Sequence, residues 1–220
     1  MNGLVQVRTG IVGSAEDIEK LASAKKATLL VLSDVHCDDY VLLVEIIKQF
    51  GADSDALVYC GDGIRDFARL FSEALTDEKI RESIPPVVAF ARGNGDYNEY
   101  SANSFKFDIP DYNVFKAAGR TIFATHGHLF GVDFGTDRLC AVSSASKASL
   151  VFYGHTHCPY KKIQDNVVVL NPGSVTRPRN GSAPSFAVVN YPGVSEKFEI
   201  NFFGIRENPF GRYQFSLISI

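Results

Sequence analysis

Six short apolar runs, each stopping at a cluster of glycine and polar residues, restrict this chain more than any other feature. Ala27–Leu32 runs into Ser33-Asp34-Val35-His36, Ala56–Cys60 into Gly61-Asp62-Gly63, and Pro86–Ala91 into Arg92-Gly93-Asn94-Gly95-Asp96. Further on, Thr121–Ala124 runs into Thr125-His126-Gly127-His128, Leu150–Tyr153 into Gly154-His155-Thr156-His157, and Val167–Leu170 into Asn171-Pro172-Gly173-Ser174. Runs of four to six residues, rich in Val, Ile, Phe and Tyr and bounded by Gly or Pro, read as buried strands.

Helical spacing fills the gaps between the early runs. Asp39–Phe50 carries Val41, Leu42, Val44, Ile46 and Ile47 and stops at Gly51, while Ile64–Arg81 carries Phe67, Leu70, Phe71 and Leu75. Strand, helix, strand, helix, strand implies crossovers between parallel neighbours, and the functional loops of such a sheet lie outside the carboxyl ends of its strands. Every polar cluster above occupies such an end. The second half reads as antiparallel. Phe105–Ile109, Asn113–Ala117 and Thr121–Thr125 are joined by Pro110-Asp111 and Gly119-Arg120, which read as tight turns. Asp137–Lys147 reads as a helix, and Lys161–Gln164 with Asn166–Leu170, and Ser185–Tyr191 with Lys197–Phe202, read as hairpins. An α/β fold of two packed sheets with helices outside is predicted.

At 220 residues the chain suits one domain. Residues 1–26 precede the first motif strand as an N-terminal extension, in which Ser14 and Asp17 resemble a capping box opening a short helix through Ala22. Residues 27–203 form the expected core, and 204–220 an aromatic C-terminal tail whose apolar residues from Phe210 to Ile220 suit a homo-oligomer or docking contact.

Charge and composition narrow the partners. A net charge of −3 without any dense Lys/Arg block gives no electrostatic footprint for a nucleic-acid backbone, so a small phosphorylated substrate fits better than a long polyanion. Met1–Lys20 is mixed and polar, and no apolar run approaches the ~18 residues of a membrane span. No membrane partner and a cytoplasmic location are therefore expected. Cys37, Cys60, Cys140 and Cys158 lack the paired spacing of a zinc ribbon or redox motif and read as reduced thiols.

All five histidines lie in the polar clusters. Asp34 and His36, two residues apart at a strand end, would put a carboxylate and an imidazole on the same face if the residue between them is extended. Asp62 sits between two glycines that let the backbone turn sharply, and its two oxygens can bridge two cations. Asn94, again between glycines, offers a neutral amide oxygen, and His126, His155 and His157 add nitrogen donors. Mixed N and O donors without thiolate suit Mn, Fe, Zn, Co or Ni better than Ca. Singly, each Asp is an ordinary turn-former or helix cap, and Asn94 an ordinary left-handed turn residue. Jointly, a dinuclear site accounts for them better. Arg65 and Arg92 stand beside these clusters, as phosphate ligands or as surface ion-pair partners. Asp96 either orients the Asn94 loop or caps the next segment.

The ordered set Ser33–His36, Gly61–Gly63, Gly93–Asp96, Thr125–His128 and Gly154–His157 resembles the calcineurin-like metallophosphoesterase superfamily, and more narrowly its small phosphodiesterases of the YfcE type. Asn171–Ser174 followed by Arg179 also resembles that group, in a loop that shapes and closes the site; the likeness spans about residues 28–191. It implies a four-layer αββα sandwich, two mixed β-sheets flanked by helices. It also implies two divalent metal ions: one held by Asp34, His36, Asp62 and His157, the other by Asp62, Asn94, His126 and His155, with Asp62 as the bridge. Manganese is the expected ion, with nickel, cobalt, iron or zinc as alternatives. Two such cations about 3.5–4 Å apart acidify a shared water and neutralise phosphoryl oxygens, so in-line attack by hydroxide without a covalent intermediate is expected. Asp62, Asn94 and His128 are the candidate catalytic residues. The wider superfamily has a leaving-group-protonating histidine after the motif asparagine; Gly95 stands there in this chain, as that histidine is also absent from the narrower group. His128 then either donates a proton, contacts phosphate, or braces His126 or a neighbouring loop. The alternatives to a phosphodiesterase are a phosphomonoesterase or nuclease of the same fold, and a non-catalytic scaffold like the small retromer subunit.

Overall fold

The apolar runs lack polar alternation because most of their residues are buried on whichever face they point to. A computed structural model describes residues 3–164, 167–191 and 198–220. The N-terminal segment supplies β1 (Ile11–Val12) and α1 (Ala15–Ser23), capped by Ser14, whose hydroxyl accepts the Asp17 N–H at 3.1 Å. The alternating series follows as β2 (Ala27–Leu32), α2 (Tyr40–Ile46, extended by a π-helical turn Ile47–Gly51), β3 (Ala56–Tyr59), α3 (Ile64–Ala74), α4 (Glu78–Ser83) and β4 (Val87–Phe90). Then come β5 (Glu99–Ala102), β6 (Phe105–Asp108), β7 (Tyr112–Ala117), β8 (Arg120–Thr125), α5 (Asp137–Ser144), β9 (Leu150–Phe152) and β10 (Pro159–Gln164). The chain ends with β11 (Val167–Pro172), β12 (Ser185–Tyr191), β13 (Glu199–Glu207) and β14 (Tyr213–Ile218).

Among the described residues one sheet orders β1-β4-β3-β2-β12-β13-β14 and the second β10-β11-β9-β8-β7. β2, β3 and β4 are mutually parallel, as are β8, β9 and β11. Successive strand residues feed different layers of core. Leu30, Tyr59 and Phe90 pack under α2 and α3 with Leu43, Phe67 and Phe71. Leu29, Val31 and Val58 face Ile122, Phe152 and Leu170 between the sheets. Phe123, Val151 and Val169 meet Leu139 of α5 on the far side. The result is the αββα sandwich, with each fully buried Leu, Ile or Phe contributing about 1.5–3 kcal/mol.

Three expected elements differ. The helix expected over Ile64–Arg81 is two helices, because the Asp77 carboxylate caps α4 through the N–H groups of Lys79 and Ile80, at 2.9 and 3.2 Å. β6 pairs with β5 rather than with β7, since Phe105 and Phe107 pack on Phe71 of α3 while β7 joins the second sheet. Residues 204–207 continue β13, and β14 adds an edge strand to the first sheet, so the boundary expected at 203 falls inside a strand. The β10–β11 and β12–β13 hairpins form, although Asn166 and Lys197, their expected ends, lie outside the described residues. Among the described residues no helix is long and apolar enough to cross a membrane.

Candidate metal centre

The loops after β2, β3, β4, β8, β9 and β11 meet at the carboxyl ends of both sheets, the place open α/β sheets reserve for ligands. Many of the residues carrying donor atoms adopt left-handed backbone conformations: Asp34 (φ 57°), His36 (54°), Asp62 (60°), His155 (67°) and His157 (59°). Non-glycine residues adopt this conformation at a cost and cluster at functional sites. Asp34 and His36 therefore converge through tight turns beyond the strand end rather than through extended alternation; His36 Nε2 lies 3.7 Å from Asp34 Oδ1.

The loops hold one another through main-chain bonds. Asp34 N–H donates to Gly61 O and His36 N–H to Asp62 O, both at 2.9 Å. Buried Tyr59 donates its hydroxyl to the same Asp62 carbonyl at 2.7 Å. Asp96, placed beside Asn94, gathers the N–H groups of Asp62, Gly63, Ile64 and Gly93 on its carboxylate at 2.7–3.0 Å. Asn171 donates to Gly154 O and Thr156 Oγ1, while Ser174 donates to Asp34 O at 2.8 Å. The Asn171–Ser174 segment thus ties the β2 and β9 loops together.

Among the described residues two triads of donor atoms overlap: Asp34, His36 and His157, and Asp34, Asp62 and His126. Asp34 is fully buried; Oδ2 accepts from Ser33 Oγ and His155 N–H, while Oδ1 has no well-formed hydrogen bond among the described residues and faces His157 Nε2 at 3.1 Å. Burial opposes its ionisation, yet the imidazoles of His157 and His126 bring its pKa below the usual carboxylate range. The converse contact with Asp34 raises the pKa of His157 against burial, and burial lowers that of His36. Asp62 Oδ1 accepts Gly95 N–H at 2.7 Å, which leaves Oδ2 between His36 Nδ1 at 3.9 Å and His126 Nε2 at 3.5 Å. Asn94 Oδ1 lies 3.1 Å from His126 Nε2 and 3.0 Å from His155 Nδ1.

Outward hydrogen bonds fix which nitrogens face inward. His126 and His157 each give Nδ1–H to a carbonyl, of Cys60 at 2.7 Å and Arg177 at 2.5 Å, and His155 gives Nε2–H to Asp133 at 3.0 Å. In the neutral rings the inward nitrogens are lone pairs, aimed at carboxylate and amide oxygens that are also lone pairs. Lone pairs crowded at these distances repel unless protons or metal cations lie among them, and mixed imidazole, carboxylate and amide donors of this kind fit divalent metal.

His128 is partly buried, its ring 5.4 Å from that of His126 and its Nδ1 without a partner among the described residues. Arg92 pairs with Asp111 instead of facing the centre, and Arg65 lines a hollow of about 130 Å³ with His36, Asp62, Gly95 and Tyr100. Arg179 meets His157 through its backbone N–H, which donates to His157 O at 3.3 Å. Asp133, Tyr59 and Thr176, whose hydroxyl donates to Val35 O at 2.9 Å, stand outside the sequence motifs; of these Asp133, set between Gly131 and Gly135, has a local sequence signal.

Residues 28–193 match the family model for the calcineurin-like phosphoesterase superfamily domain. The phosphodiesterase YfcE of Escherichia coli K12 is 29% identical over 172 residues, covering 74% of this chain and 86% of YfcE. A solved predicted phosphoesterase from Streptococcus pneumoniae TIGR4 superposes with a TM-score of 0.62 at 26% identity, covering 89% of this chain and all of the other. The Cryptosporidium parvum Vacuolar Protein Sorting 29 structure gives 0.65 at 14% identity, covering 88% and 97%, a likeness of fold alone. With its motif loops gathered at one end of the sandwich, the chain belongs to the calcineurin-like phosphoesterase superfamily.

Proposed function

We propose that this chain is a phosphodiesterase for a small phosphorylated substrate, working with two divalent ions, manganese foremost, in the cytoplasm. The family makes it a metal-dependent phosphoesterase; the diester preference draws on the likeness to YfcE. One observation carries the reading. Asp62 Oδ2 stands between His36 of one donor group, at 3.9 Å, and His126 of the other, at 3.5 Å. On this reading Asp34, His36, Asp62 and His157 hold one ion, and Asp62, Asn94, His126 and His155 the other. When bound, such ions acidify water and neutralise phosphoryl oxygens.

The chain's own residues set what can leave. Gly95 contributes no side chain beside Asn94, so no imidazole there protonates the departing oxygen. Burial and the nearby His126 lower the pKa of His128, which leaves less of its protonated form to act as an acid. Esters with acidic leaving groups are therefore favoured. Arg65, in the hollow beside His36 and Asp62, is placed to meet a phosphoryl oxygen or a substituent on it.

The deciding assay reconstitutes the chain with Mn, Ni, Co, Zn or Mg and compares bis-p-nitrophenyl phosphate with p-nitrophenyl phosphate. Faster turnover of the diester with Mn is expected. Turnover of neither, with metal confirmed bound, would favour a scaffold of the same fold; a clear monoester preference would overturn the diester assignment.

A further inference from the structure

His155 is held differently from the other two anchored imidazoles, and we propose that Asp133 is the positioning residue that makes it a donor to the Asn94–His126 side of the centre. The inference rests on the metal-centre reading above. His126 and His157 give Nδ1–H to main-chain carbonyls and turn Nε2 inward. His155 is reversed: Nε2 faces the Asp133 carboxylate at 3.0 Å, and Nδ1 points to Asn94 Oδ1 at 3.0 Å and His126 Nε2 at 3.3 Å. Its own backbone is left-handed and its side chain partly exposed, so neither regular structure nor packing alone sets the ring.

The segment carrying Asp133 is built to present it. Val132–Phe134 forms one 3₁₀ turn between Gly131 (φ 66°) and Gly135 (φ 125°), closed by Phe134 N–H to Gly131 O at 3.0 Å. Val132 is buried with Tyr153 and Phe130 and pins the turn, leaving the Asp133 carboxylate, about half exposed at 48%, projecting toward His155.

Charge gives the contact a purpose. The Asp34 side of the centre contains Asp34 and a share of Asp62, whereas the other side has neutral Asn94, His126 and His155 with only the Asp62 share. A carboxylate on the outer nitrogen fixes the tautomer, orients the ring and raises its basicity. Asp133 thereby supplies negative charge to the side that has least of its own.

Calorimetric titration of the metal-free full chain with Mn²⁺ tests this in the wild type, D133A, D133N, H155A and the D133A/H155A pair. The wild type should take two equivalents. D133A should weaken one of them by about 10–100-fold and leave the other unchanged, with D133N, which keeps an acceptor oxygen but no charge, in between. In the H155A background D133A should add nothing, a result that a general loosening of the loop would not give. Wild-type constants for both D133A and D133N would overturn the assignment, as would an equal further loss from D133A in H155A. No Mn²⁺ uptake by the wild type would instead overturn the metal-centre reading, and the assignment with it.

Discussion

Asp96 accepts the backbone N–H of Asp62 at 2.7 Å across 34 residues of sequence, and through it the β4 loop fixes the β3 loop. The same carboxylate accepts Gly63, Ile64 and Gly93, so both oxygens are committed to main-chain donors. Asp96→Ala leaves these donors without their acceptor and should cost about 2–3 kcal/mol. Asp96→Asn should cost nearly as much, because either orientation turns an NH₂ group against N–H donors. Urea denaturation of the metal-free variants measures this; an Asn variant as stable as the wild type would show that Asp96 does not organise the loop.

Gly93 and Gly95 flank Asn94 for different reasons. A Cβ on Gly93 would stand 2.0 Å from Asp62 Oδ1 and 2.4 Å from Asp62 N, whereas one on Gly95 would come no closer than 3.2 Å to Asp62 Oδ1. Gly93→Ala should therefore displace the Asp62 carboxylate and cut kcat/KM by about a hundredfold or more, the penalty of a misplacement near 1 Å. Gly95→Ala should stay within about tenfold of the wild type. Steady-state kinetics with bis-p-nitrophenyl phosphate distinguishes the two, and equal losses would contradict the packing argument.

Much of this was legible from the chain because the layers are chemically distinct. The runs around Leu30, Val58 and Val88 are apolar on both faces, and each stops at the residue that turns into the site. The donor residues were visible as a set, yet the means of their convergence was not. Left-handed turns at Asp34 and His36 depend on the carbonyls of Gly61 and Asp62, supplied from another loop. The glycines beside Asn94 signalled a turn, but Asn94 itself has no positive φ; Gly93 is required by its approach to Asp62. Asp133 and Thr176 act on partners 22 and more than a hundred residues away, which no local pattern records. The last strand was hidden because Phe215 and Ile218 pack on different layers of core from an edge, which reads in sequence as an aromatic tail.

His128 separates proton donation from bracing. Its partly buried ring sits 5.4 Å from His126 and 6.1 Å from His155, and burial together with His126 lowers its pKa. A brace acts equally on every ester, whereas a general acid matters most for leaving groups that are poor as anions. His128→Ala should thus reduce kcat by about tenfold or less for both a nitrophenyl and an alkyl diester, with the same dependence on leaving-group acidity as the wild type. A selective collapse of the alkyl ester would restore the general-acid role.

Asp34 offers a test in which stability, rather than turnover, reports the metal. Its Oδ2 accepts from Ser33 Oγ at 2.6 Å and His155 N–H at 3.1 Å, bonds that an amide oxygen can also receive. The NH₂ group of Asp34→Asn would then occupy the place of Oδ1, 3.1 Å from the inward His157 Nε2, and donate to its lone pair. Removing a buried charge while preserving its hydrogen bonds should leave metal-free stability within about 1 kcal/mol of the wild type. With metal the two proteins should diverge. At about a hundredfold excess over Kd, Mn²⁺ should stabilise the wild type by roughly 2.7 kcal/mol for one site. Asp34→Asn lacks the anionic oxygen of the Asp34, His36 and His157 group, while Asp62, Asn94, His126 and His155 keep their donors, so its melting temperature should rise clearly less than that of the wild type on the same addition. Differential scanning calorimetry with and without Mn²⁺ measures both halves. An equal metal-induced shift in the two proteins would remove Asp34 from the ligand set, whereas collapse of the metal-free variant would give it a structural role instead.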